Sequence, residues 1–101
     1  MDVLTAIQER RSIRKYSPRP VEEAALKRVL EAARLSPSAG NRQNWKFIAV
    51  RDRDTIARLM EAAGGQTFVG EAPVILVSCG ADPEGMMTCG QPRHTVDLSI
   101  A

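Results

Sequence analysis

Arg10, Arg11, Arg14, Lys15 and Arg19 stand close together near the start of the chain, with Ser12 and Tyr16 among them and no acid after Glu9. A guanidinium is a planar fork of N–H donors that suits phosphate or carbonyl oxygens, and a neighbouring hydroxyl adds another donor. The run can therefore hold an anion. The same composition also serves as a solvated basic face or as a weak nucleic-acid patch, and spacing does not choose among the three. A second stretch, Ser36-Pro37-Ser38-Ala39-Gly40-Asn41-Arg42-Gln43-Asn44-Trp45, carries small residues that let backbone approach a flat ring closely. Asn41 and Gln43 each donate and accept, as the edge of a pyrimidine or isoalloxazine requires. Taken alone, this stretch reads first as a polar turn between a helix and a strand.

The remaining reactive side chains form no comparable set. Cys79, Cys89 and His94 lack the paired spacing of a structural zinc site, so no metal is expected. Cys79 ends an apolar run, where a free cysteine serves as a small hydrophobe. Met86 and Met87 fit a substrate-facing loop or a surface, and Arg93-His94 could meet a nicotinamide phosphate. No nucleophile–base pair or catalytic triad is visible.

These residues must be positioned by short elements. Asp2 can cap a first helix with Val3, Leu4 and Ile7 on one side. Ser17-Pro18-Arg19-Pro20 then forms an extended connector. A second helix is expected from Glu22 to Leu35, with Ala25, Leu26, Val29, Leu30 and Ala33 as its apolar stripe. Trp45–Val50 reads as a strand, with Trp45 packing at its start. Asp52 or Asp54 can cap a third helix that Gly64-Gly65 ends. Pro73–Ser78 reads as a fully buried second strand, Gly80 to Arg93 as a loop, and Thr95 onward as a fourth helix. Two strands are marginal alone in water, so the chain is expected to be cut before its fold closes.

Composition bounds the class. The chain has 101 residues, 44% hydrophobic and 26% charged, with a formal net charge of +2. That suits one soluble domain at most and gives no general case for nucleic acid. No apolar run approaches the ~20 residues of a membrane-spanning helix. No basic, apolar leader is visible either, so a cytoplasmic location is expected.

Taken together, RRSIRKY, a helix, SPSAGNRQNWKF, another helix and APVILV resemble the FMN-dependent nitroreductase family over essentially the whole chain. The resemblance implies an α+β fold, a three-layer α/β/α arrangement with a mixed sheet, of which residues 1–101 would be the N-terminal part. It implies an intertwined homodimer with FMN at the interface, and no nucleic-acid or membrane partner. Arg10 and Ser12 would meet the phosphate or ribityl, with Arg11 in the same cluster and Arg14 near the pyrimidine edge. Pro37, Ser38 and Ala39 would pack along the isoalloxazine, and Asn41 and Gln43 would meet flavin or ribityl from the other subunit. Many members have Pro before the tryptophan, where this chain has Asn44. The implied activity is an NAD(P)H oxidoreductase that passes two electrons through flavin to a small-molecule acceptor such as a nitroaromatic or quinone. Family members continue through a long central helix and a Gly-rich segment absent here, so a catalytically inert, dimerising or interacting module is the alternative.

Overall fold

The computed structural model describes all residues from Met1 to Ala101. In chain order it contains α1 (Val3–Glu9), α2 (Glu23–Arg34), a single 3-10 turn (Ala39–Asn41), β1 (Trp45–Val50), α3 (Arg53–Ala62), α4 (Thr67–Glu71), β2 (Ile75–Gly80) and α5 (Arg93–Ile100). The class is α+β, with helices around a two-stranded antiparallel sheet in which Trp45 faces Gly80 and Val50 faces Ile75.

Local chemistry sets most of these boundaries. The Asp2 carboxylate accepts from the Thr5 backbone N–H at 2.9 Å and caps α1; that bond holds its carboxyl below the usual value of 3.8. Asp52, not Asp54, caps α3, accepting from the Thr55 hydroxyl at 2.6 Å and the Thr55 N–H at 2.9 Å. After α3 the chain turns through Gly64 at φ 82°, a left-handed position that costs glycine nothing.

Three expectations change. α5 begins at Arg93, two residues earlier than expected, directly after Pro92, whose fixed φ of −60° suits the residue leading into a helix. The second strand begins at Ile75, not Pro73, and it is half-buried: Leu76 and Ser78 are exposed while Ile75 and Val77 are partly covered. A lone two-stranded sheet leaves part of each face open, so an apolar run does not guarantee full burial. The short helix α4 was not foreseen. Its support is tertiary: Arg53 of α3 donates to the Ala72 carbonyl at 2.9 Å and to the Gly70 carbonyl, satisfying groups that a helix end leaves unpaired.

The core is small. Leu26, Ile56 and Ala72 are its buried apolar residues, and Asp97 is the buried charged one. The apolar side of α1 faces solvent, with Val3, Leu4 and Ile7 at 75%, 70% and 66% exposure. The whole chain exposes 7740 Å², against about 5,700 Å² for a compact monomer of its mass. Its radius of gyration is 15.5 Å, against about 13 Å for a compact domain of this length. No helix is long and apolar enough to cross a membrane.

Candidate functional site

The arginine segment leaves α1 as extended chain, and Arg10, Arg11, Ser12 and Arg14 are all exposed. Arg10 Nη1 reaches the Ser12 hydroxyl at 3.3 Å, so these two side chains sit together. Arg11 turns back and donates to the carbonyls of Gln8 and Arg10, each at 2.9 Å, which ties it to the end of α1. None of these arginines pairs with a carboxylate; the ion pairs of the chain are Arg34–Glu31, Arg51–Glu23 and Arg93–Asp82. Their positive charge is therefore uncompensated, as an anion site requires.

The second segment is tightly constrained. Gly40, Asn41 and Gln43 have φ of 62°, 52° and 57°. Asparagine adopts this left-handed region more readily than most residues; glutamine gains nothing there and must be held by its surroundings. Besides its backbone bonds, two side-chain contacts hold this turn. The Ser38 hydroxyl accepts from the Gln43 N–H at 3.0 Å, closing the loop on itself. The Asp97 carboxylate of α5 accepts from the Ala39 N–H at 3.0 Å, fixing the loop to a distant helix. Pro37 leads into the turn, and the Asn41 and Gln43 side chains are exposed beyond it. Trp45 follows as half-buried packing, 5.7 Å from the Phe47 ring on the same strand face.

Within one chain the two segments remain separate. No hydrogen bond or ion pair joins residues 10–14 to residues 37–43, and no cavity is lined by both. The turn instead borders a cleft shared with the loop before α5. No group of His, Cys, Asp and Glu is arranged to hold a metal.

The Nitroreductase family model matches residues 7–92. The chain belongs to this family. Among curated relatives, "NADH dehydrogenase" of Thermus thermophilus is 52% identical over 77 residues, 76% of this chain and 38% of that protein. "FMN reductase [NAD(P)H]" of Bacillus subtilis is 36% identical over 78 residues, 77% of this chain and 31% of that protein. Among solved structures, an FMN-dependent nitroreductase from Clostridium difficile superposes with a TM-score of 0.83 at 31% identity, covering 97% of this chain and 54% of that one. The nitroreductase fold is thus shown, and the chain spans well under two thirds of these relatives' length.

Asp97 anchors this turn, a role that no motif in the sequence marks. A lone carboxylate between Val96 and Leu98 on an amphipathic helix was the available signal, because a charge at such a position needs a buried partner. Its partner, a backbone N–H at Ala39, leaves no mark in the sequence.

Proposed function

We propose that residues 1–101 supply the N-terminal part of an FMN-dependent NAD(P)H oxidoreductase domain. The observation that carries this reading is that the chain bears both unneutralised guanidinium groups at Arg10 and Arg14 and a turn with left-handed Gly40, Asn41 and Gln43 closed by the Ser38 hydroxyl. The residues fit FMN chemically. Arg10, Arg11 and Ser12 would hold its phosphate end, with Arg14 near the pyrimidine edge. The small residues Pro37, Ser38 and Ala39 would lie along the ring, and Asn41 and Gln43 would supply polar contacts. Bound FMN would supply two-electron chemistry between NAD(P)H and a small-molecule acceptor such as a nitroaromatic or quinone. The chain's own work is to bind, to orient and to place positive charge beside the ring.

The separation of the two segments in one chain favours a homodimer in which each site draws on both subunits. The bare apolar side of α1 supports the same reading. An interaction module without cofactor is the second reading, favoured by that same exposed apolar side of α1. Purified protein tests them apart. The enzyme reading expects flavin absorbance and NAD(P)H-dependent reduction of a quinone or nitroaromatic; a colourless dimer that oxidises no nicotinamide supports the interaction module.

A further inference from the structure

A cleft of about 530 Å³ lies between the 39–42 turn and the loop that leads into α5, lined among others by Gly40, Arg42, Met86, Met87, Cys89 and Arg93. It is separate from the arginine segment at residues 10–14, and it shares Ala39 with the turn proposed to lie along the flavin ring. Arg93 is built into its wall: its side chain is only 13% exposed, its Nη2 donates to the Met86 carbonyl at 2.9 Å, and its backbone N–H donates to the Gly85 carbonyl at 2.9 Å. Its Nη1 is buried with no hydrogen-bond acceptor. The nearest carboxylate, Asp82, forms an ion pair at 3.6 Å, is itself 41% exposed and lies beyond hydrogen-bonding reach. Gly85 permits this packing, since a Cβ there would sit 2.5 Å from Asp82 Oδ2 and 3.0 Å from Arg93 Nη1.

Arg42 supplies a second cation. Its chain folds back over Gly40, where a Cβ would lie 3.6 Å from Nε, and its guanidinium makes no hydrogen bond or ion pair. Two guanidinium groups with unspent donors, opposed by the single carboxylate of Asp82, leave the cleft positive. A buried charged donor without an acceptor is costly, and an oxyanion relieves that cost. Met86 and Met87 add adaptable apolar surface beside the cations, which suits an organic body attached to the anion.

We propose that this cleft binds a phosphate monoester, with Arg42 and Arg93 meeting its oxygens and the two methionines meeting the sugar or ring that carries it. The source that fits the proposed function is the ribose phosphate of a phosphorylated nicotinamide donor; that assignment of source rests on the oxidoreductase reading, whereas the phosphate site does not.

Cys89 lines the cleft and is exposed, so it reports occupancy directly. The test follows alkylation of Cys89 by neutral iodoacetamide, mapped by mass spectrometry, with half-buried Cys79 as the internal control. Adenosine 2′-monophosphate should slow the reaction of Cys89 severalfold and leave Cys79 unchanged. Arg42→Ala should raise the half-protecting concentration about tenfold, the loss of one charged hydrogen bond. Arg93→Lys, which keeps the charge and spares the fold, should raise it as well, because an ammonium cannot reproduce the fork. Equal protection by inorganic phosphate identifies a simple oxyanion site and removes the methionines' role. Protection by adenosine, or none by any phosphate, overturns the proposal. Arg10→Ala should leave Cys89 protection intact; protection without FMN binding would sink the flavin reading alone, and FMN binding without protection would sink this one alone.

Discussion

Replacing Asp97 tests whether the left-handed turn is held from α5. The Asp97 carboxylate is 7% exposed and accepts from the Ala39 N–H at 3.0 Å. A hydrogen bond to a charged group contributes about 1.5–3 kcal/mol. Asp97→Ala removes the acceptor and leaves a half-buried N–H unpaired, so the Ala39 amide should exchange about 10- to 150-fold faster. Asp97→Asn keeps an acceptor of the same shape without the charge, and neutral bonds are roughly half as strong. Its acceleration should fall lower, at about 3- to 10-fold. Amide hydrogen exchange followed by NMR resolves Ala39 from the amides of β1 and β2, which should keep their wild-type rates. Parallel acceleration of the sheet amides would mark global unfolding in the alanine variant and leave the asparagine variant to decide. Unchanged exchange at Ala39 in Asp97→Ala, with the fold intact, would refute the claim that this carboxylate fixes the turn.

Asp52→Ala should lower the thermal midpoint, with an effect that depends on pH. Hydrogen bonds from the Thr55 side chain and backbone hold the Asp52 carboxyl below its ordinary value of 3.8. A depressed folded value means the contribution is full above 3.8 and is lost as pH falls through the lower, folded value. Midpoints of wild type and variant should converge in acid; a gap that persists in strong acid contradicts the cap. Gly64→Ala meets nothing within 4 Å, so its cost is the left-handed backbone alone; about 1 kcal/mol, or roughly 5 °C in calorimetry, is expected. Ile7→Glu on the exposed side of α1 should leave the circular dichroism of the chain unchanged while abolishing dimers in sedimentation velocity. A stable Ile7→Glu dimer would remove α1 from the proposed interface.

Much of the fold was legible because its signals are local. Caps at Asp2 and Asp52, the strand Trp45–Val50 and the glycine stop after α3 depend on residues a few positions apart. The helix α4 and the partial exposure of β2 were not legible, because they depend on Arg53 reaching across to Gly70 and Ala72 and on how many strands cover the sheet. The site divides in the same way. The turn chemistry of Ser38–Gln43 shows in its residue types, whereas the bond from Asp97 joins positions 58 apart. Arg93 reads in the sequence only as a cation that could meet a nicotinamide phosphate; its burial against Met86, Gly85 and Asp82 shows only in the fold.

Titration of the purified chain with FMN, followed by quenching of flavin fluorescence at protein concentrations that support dimers, tests the central claim most directly. The account predicts saturable binding at one FMN per chain, weakened about tenfold or more by Arg10→Ala through loss of a charge-assisted phosphate contact. Linear, unsaturable quenching, or equal affinity in the Arg10→Ala protein, would contradict it.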